Sequence, residues 1–150
     1  MQLNPYLLFN GNCEAAFQFY ERTLGGKIEM LLPHEGTPAE NAVPPEWRKK
    51  IMHGRMTLNG QTIMASDAPP GRYAQPQGFS INLGFGDPGE AERVFHALAE
   101  DGKVNMPIQE TFWAQRFGML VDRFGISWMI NCEKAHVEIE NPANLQAAGR

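Results

Sequence analysis

The chain has 150 residues, 43% of them hydrophobic and 20% charged, which suits an ordinary soluble globular domain with one substantial core. Its net charge of −4, with no basic stripe, excludes the clustered Lys and Arg that nucleic-acid phosphates require. No run approaches the roughly eighteen apolar residues of a membrane span, and Met1-Gln2-Leu3-Asn4-Pro5 has neither part of a signal peptide; a cytoplasmic protein is expected, without membrane or nucleic-acid partners.

In chain order, a strand is predicted around Leu3–Phe9, then a turn at Asn10-Gly11 and a helix from about Cys13 to Thr23. Asn12 is its expected N-cap and Gly25-Gly26 its stop. Lys27–Leu32 reads as a second strand. The proline-rich stretch Pro33–Lys49 is either a lid over a site or a solvated excursion. Ile51–Leu58 and Gln61–Ser66 then flank Asn59-Gly60, a strong hairpin signal. A two-residue turn pairs Leu58 with Gln61. Counting back sets Met56 opposite Ile63 and Gly54 opposite Ala65 on one face. On the other, Thr57 meets Thr62, Arg55 meets Met64 and His53 meets Ser66. The first face is apolar and the second mixed.

A connection at Ala68–Gln77 leads to the second half. There Asp87 should cap a helix over 88–101, with Pro88 in the first helical position, Glu90 completing a capping box and Gly102 as the stop. A second hairpin is expected from Arg116–Arg123 and Ile126–Cys132. It would pair Val121 with Trp128 and Met119 with Ile130 on the core side, leaving Leu120, Met129, Gly118 and Asn131 on the mixed face. Residues 133–150 read as a polar tail.

The second half repeats the first. Slid by 76 residues, positions 7–30 fall on 83–106 with eight identities in twenty-four, where roughly one or two are expected from average usage. The hairpins repeat with a shift of 65, so Gly60 falls on Gly125 and Met64 on Met129. The fold class is therefore α+β, a single domain over 1–132 of two βαβββ modules at about 1–67 and 78–132. Neither unit can bury its apolar face alone, so a site is sought where the copies meet. Cys13 and Cys132 are free buried thiols, a disulfide or a reactive pair, and reducing conditions favour the first.

Several motifs carry a resemblance. Pro5-Tyr6-Leu7-Leu8-Phe9, Gly11-Asn12-Cys13, Phe19-Tyr20 with Thr23-Leu24-Gly25, Met64-Ala65-Ser66-Asp67-Ala68, and Gln109-Glu110-Thr111-Phe112-Trp113-Ala114 through Phe124-Gly125 and Trp128-Met129-Ile130-Asn131 are similar to the PhnB-like branch of the vicinal-oxygen-chelate superfamily, which includes glyoxalase I, the bleomycin-resistance proteins and dihydroxybiphenyl dioxygenase. The resemblance covers residues 2–132 and implies curved mixed sheets around a cleft, usually in a homodimer. Metal-dependent members of that superfamily take ligands from one position on the first and last strand of each module. Those slots hold Asn4, Ser80, Met64 and Met129 here, a set that mixes weak hard donors with soft thioethers. No metal and no other cofactor is expected, and metal-dependent glyoxalase or dioxygenase activity is disfavoured. A methyltransferase label sometimes attached to the branch finds no support in a glycine-rich loop opening a parallel alternation. Gly84-Phe85-Gly86-Asp87-Pro88-Gly89 matches GxGxxG, but Asp87 would set a negative charge among the phosphate-binding amides; a capped helix start is the better reading.

The mixed faces define the expected cleft. The first module contributes Tyr6, His53, Arg55, Met64 and Ser66, the second Asn82, Arg116, Met129 and Asn131. Arginine there would favour a carboxylate or phosphate, and the methionines make the centre apolar and adaptable. His53 and Ser66 are weak catalytic candidates, because no third group orients the histidine. Trp113 reads as core or dimer interface. Two functions remain open: a metal-free protein that binds a small, anionic organic molecule in the inter-module cleft, or an enzyme of isomerase, lyase or transferase type using His53 or a metal recruited at a non-standard site.

Overall fold

The computed structural model describes residues 1–135; the rest of the expected tail lies outside the described residues. Two four-stranded sheets each carry one helix. The first sheet contains β1 (Tyr6–Phe9), β2 (Lys27–Pro33), β3 (Ile51–Leu58) and β4 (Gln61–Asp67) in the order β1-β4-β3-β2, with α1 (Cys13–Leu24) packed on it. The second repeats this with β5 (Ile81–Gly84), β6 (Lys103–Gln109), β7 (Ala114–Val121) and β8 (Ser127–Glu133) in the order β5-β8-β7-β6, under α2 (Pro88–Ala99). Within each sheet the first strand runs parallel to the last and the hairpin is antiparallel. This is the tandem βαβββ architecture that the repeat implied.

The first hairpin has the expected register from Leu58↔Gln61 to Gly54↔Ala65. Asn59 and Gly60 both have positive φ, 52° and 77°, as a two-residue primed turn requires. Met56, Ile63 and Ala65 are buried under α1, while Arg55, Thr57, Thr62 and Met64 face away from it.

The second hairpin corrects the expected pairing. Leu120 stands opposite Trp128, Met119 opposite Met129 and Gly118 opposite Ile130. Its turn is one residue longer. Asp122 and Ile126 are joined by a backbone hydrogen bond of 2.8 Å, and Arg123, Phe124 and Gly125 form the loop, with Gly125 at φ 89°. The hairpins therefore align with a shift of 65 on β8 but 64 on β7, and because side chains alternate, one added residue turns all of β7 over relative to its expected facing. Trp128 is buried under the helix and Met129 faces away, as expected. Leu120 and Gly118 belong to the core side, and Val121 and Met119 to the mixed face. Phe95 of α2 lies over Gly118, where a Cβ would come within 2.6 Å of its ring.

Both helix starts depart in detail. The Asn12 side chain caps nothing, and its Oδ1 is buried without a partner. The capping carboxylate comes instead from the end of β4: Asp67 accepts the Cys13 N–H at 3.0 Å and the Ile51 N–H at 2.8 Å. At α2, Asp87 does cap, accepting from Gly89 and Glu90, but the Glu90 carboxylate turns to Arg93 at 2.6 and 2.9 Å instead of closing a box. That helix ends at Ala99, with Asp101 in the left-handed region. Gly102 is required for another reason: a Cβ there would collide with the Val121 carbonyl.

One core joins the modules. Tyr20 of α1 stacks edge-on against Trp128 at 5.3 Å between ring centroids, and Phe9 and Phe19 approach Phe124 at 6.5 and 5.9 Å. Asp122, 3% exposed, sits at the seam. Its carboxylate accepts from the N–H groups of Phe124 and Ile126, from the Trp128 indole at 2.8 Å and from the Tyr20 hydroxyl at 2.5 Å.

Cys13 and Cys132 are both free and fully buried. Burial, then the Asp67 and Glu14 carboxylates, pushes the Cys13 thiol well above its ordinary value. A thiol-disulfide reagent at pH 8 should therefore detect no thiol in the native protein and both after denaturation. Rapid labelling of native Cys13 would show that the α1 terminus opens.

Candidate functional site between the modules

A cavity of about 370 Å³ lies where the hairpin end of the first module meets the edge strand of the second. Its polar lining comes from Gln2, Asn4, Gln61 and Thr62 on one side and Asn82 on the other, with Arg55 as the one charged residue among the described ones. Leu3, Pro5, Leu58, Ile63, Ile81 and Leu83 supply the apolar lining. Arg55 is exposed and, among the described residues, has no ion-pair partner. An unpaired guanidinium beside side-chain amides and apolar walls can hold a planar anion by two parallel charge-assisted hydrogen bonds.

The mixed face of the first sheet continues from this cavity. Arg55 pairs in register with Met64, and Met64 with Tyr6, so the three side chains form one row across the strands. His53 lies two residues along, and its Nδ1 is 3.1 Å from the Tyr6 hydroxyl, with the rings 5.8 Å apart. Either partner can donate according to the tautomer. The hydrogen bond of His53 is thus to Tyr6, and the expected pairing with Ser66 is not what orients it; Ser66 stands beside Leu8 on the same face. On the second sheet, Asn82, Met129 and Met119 make the corresponding row, with Asn131 opposite Phe117.

Arg116 is elsewhere. It pairs with buried Cys132, on the core side of β7, and its guanidinium donates to Glu92 of α2 at 2.8 Å. Glu92 also meets His96 at 3.1 Å. The expectation that Arg116 faces the cleft rested on a two-residue turn; the ladder alternates without a break from Val121 back to Arg116, so the extra residue of the turn carries Arg116 to the core side.

Sequence reasoning missed several neighbours. Leu8, Met30 and Leu32 share the face of Tyr6 and His53 and are 44%, 37% and 36% exposed; alternation along their strands was the available signal. Leu58 and Leu83 at the junction had none, because their meeting depends on how the modules dock. The segment from Pro33 to Lys49 forms short 3-10 turns at Glu40–Ala42 and Pro45–Trp47 and folds back on the corner after β1, where Lys50 donates to the Gly11 carbonyl at 2.8 Å. None of its residues lines the cavity.

The four superfamily ligand slots do not assemble a donor set. Asn4 lines the cavity, the Ser80 hydroxyl is hydrogen-bonded to Ser127 at 2.7 Å, and Met64 and Met129 offer neutral thioethers. Among the described residues, no three His, Cys, Asp or Glu are grouped to hold a metal. These neutral, mismatched atoms do not fit a divalent centre. No helix of the described residues is long and apolar enough to cross a membrane.

Comparison with known proteins agrees with this architecture. The chain is 48% identical to protein PA1353 of Pseudomonas aeruginosa, whose crystal structure superposes with a TM-score of 0.82 over 90% of this chain and 99% of that one. It is 40% identical to protein YjdN of Escherichia coli over 144 residues, 89% of this chain and 97% of the relative. A putative 3-demethylubiquinone-9 3-methyltransferase, PhnB protein, from Bacillus cereus is 25% identical, covers 88% of this chain and 99% of its own, and has a TM-score of 0.76. At the level of fold alone, a glyoxylase/bleomycin resistance protein/dioxygenase domain from Frankia matches with a TM-score of 0.60 at 11% identity, over 89% and 95% of the chains. Residues 1–131 match the family model described as 3-demethylubiquinone-9 3-methyltransferase, so the chain belongs to that PhnB-like family and has its glyoxalase-type fold.

Proposed function

We propose that this protein binds a small organic anion at the junction of its two modules, with Arg55 as the anchor, and that it does so without the metal of the wider superfamily. The observation that carries this reading is the junction cavity: its volume lies within the range of small-molecule sites, its walls mix apolar side chains with uncharged polar groups, and its single charge is cationic. Gln2, Asn4, Gln61, Thr62 and Asn82 supply the remaining hydrogen-bonding side chains. Tyr6, His53, Met64 and Ser66 extend the surface on one sheet, Met129 and Asn131 on the other. We place the protein in the cytoplasm, where its two buried thiols stay reduced.

The half-exposed row of Tyr6, Leu8, Met30 and Leu32 is a large apolar area for a monomer, and a second copy of the chain is the proposed cover for it. Analytical ultracentrifugation distinguishes a dimer from a monomer directly.

Methyl transfer, which the family description names, is outside this proposal. The sheets contain no parallel alternation with a phosphate-binding turn, and the amides at the start of α2 are taken by Asp87. A second reading has one observation behind it. The Tyr6–His53 hydrogen bond on an accessible face could pass a proton to or from a bound molecule, making the protein an enzyme of isomerase, lyase or transferase type.

The test is titration calorimetry with small carboxylates selected by thermal shift. Arg55→Met should lose a charge-assisted hydrogen bond worth about 1.5–3 kcal/mol, roughly ten- to a hundredfold in affinity. Unchanged binding by the folded variant sinks the assignment.

A further inference from the structure

The junction cavity has a neighbour on the helix side of the sheets. This second cavity, about 410 Å³, lies between the C-terminus of α1 and the first turns of α2, and its apolar lining is Leu24, Leu58, Leu83, Phe85 and Val94. Leu58, Gln61, Asn82 and Leu83 line both cavities, so the two share a wall. That wall is made of side chains from the end of one hairpin and the edge strand of the other module, which are joined by no strand pairing.

Charge gives the pair of cavities a direction. Among the described residues, Arg55 is the only cation lining either of them. The one charged residue of the helix-side cavity is Glu90, whose carboxylate is held by both Nε and Nη2 of Arg93, and the same guanidinium donates to the Thr23 carbonyl at 3.0 Å near the end of α1. Arg93 holds the Glu90 carboxyl below its ordinary range. The far end thus has its charge already paired and carries Leu24, Phe85 and Val94 as an apolar strip beside its polar groups, and an anionic head group has a partner only at the near end.

We propose that the two cavities act as one bent channel through the sheet junction, and that its ligand is a monocarboxylate carried on an unbranched apolar chain. The head lies at Arg55 and the chain passes between Leu58 and Leu83 into the space bounded by Leu24, Phe85 and Val94. This rests on the anion site proposed above and adds the identity of the ligand class and the route of its apolar part.

Calorimetric titration with acetate, butyrate, hexanoate and octanoate, and with octanol as the uncharged control, tests both parts. Burial of one methylene is worth about 0.8 kcal/mol, so affinity should rise about fourfold per added carbon through octanoate. Arg55→Met should weaken every acid by roughly ten- to a hundredfold and octanol little. Leu24→Trp and Phe85→Trp, which line the helix-side cavity and not the junction cavity, should, each checked for a native circular dichroism spectrum, leave butyrate binding within about twofold and abolish the further gain to octanoate. The chain-length series in the parent protein decides the matter even where a tryptophan variant does not fold. A flat series with a retained Arg55 dependence overturns the channel and keeps the anion site. Acids that bind as tightly to Arg55→Met as to the parent overturn both. No saturable binding of octanoate, or a full chain-length gain in the folded tryptophan variants, also overturns the channel.

Discussion

Replacing Asp122 with Ala should lower the melting temperature by on the order of 10 °C, the largest effect expected of any single polar substitution in this protein. The carboxylate is 3% exposed and satisfies two backbone N–H groups of its own turn, the Trp128 indole and the Tyr20 hydroxyl. Alanine leaves these donors without their acceptor, and at about 1–3 kcal/mol for each buried orphan the loss reaches about 4 kcal/mol even when the terms are strongly non-additive. Tyr20→Phe removes one of the four and should cost about 1–2 kcal/mol. Differential scanning calorimetry measures both. A shift of only a degree or two for Asp122→Ala would mean that water replaces the carboxylate and that the seam is wet. The same residues make an alkaline prediction. Burial, followed by the Asp122 charge and hydrogen bond, raises the Tyr20 hydroxyl well above its ordinary 10.0, and Cys13 is raised from 9.0. A group whose folded value is raised stabilises fully below its unfolded value and loses that contribution as pH climbs, so stability should fall from about pH 9 upward, and Tyr20→Phe should show a shallower fall above about pH 10.

Asp67→Ala comes next, at about 2–4 kcal/mol by urea denaturation, because it orphans the N–H groups of Cys13 and Ile51 together. One carboxylate fixes the start of α1 and the start of β3 to the end of β4, which carries Met64 and Ser66 on its opposite face. Asn12→Ala should change stability by less than about 0.5 kcal/mol, although Asn12 occupies the N-cap position and a capping Asn typically contributes about 1 kcal/mol. The reverse ranking of these two variants would restore Asn12 as the cap and remove the account given for Asp67. Asp67→Asn should in addition lower the Cys13 thiol, since the Asp67 charge is the second cause of its elevation after burial.

Local chemistry and the internal repeat determined most of the architecture. The eight identities between the halves, the Asn59-Gly60 turn and the apolar period of the two helices are short-range signals, and each element they mark is present within a few residues of its expected place. The first hairpin register followed from its turn length, which puts Arg55, Met64 and Tyr6 in one row. The second could not be read the same way. A three-residue loop and a two-residue turn look alike around a single Gly125, and the difference reverses the facing of Leu120 and Val121. The composition of β7 does not settle it, because Leu, Met and Val are acceptable on either face.

What the sequence left undecided is what depends on partners far along the chain. A cap for α1 supplied 54 residues away by Asp67, the ion pair that takes Arg116 to Glu92, and the hydrogen bond that Tyr20 donates to Asp122 across 102 residues leave no local trace, since a carboxylate is equally at home exposed on a turn. The junction cavity is of the same kind. Asn82 was expected in the cleft, but Leu58, Gln61 and Leu83 read as ordinary strand-end residues, and it is the shared core of Tyr20, Trp128 and Phe124 that fixes the angle at which the modules dock and so brings them together beside Arg55. Turn chemistry and periodicity act over a few residues and are visible in the sequence by itself. Docking is set by the summed burial of side chains from both halves, and only the tertiary structure evaluates that sum.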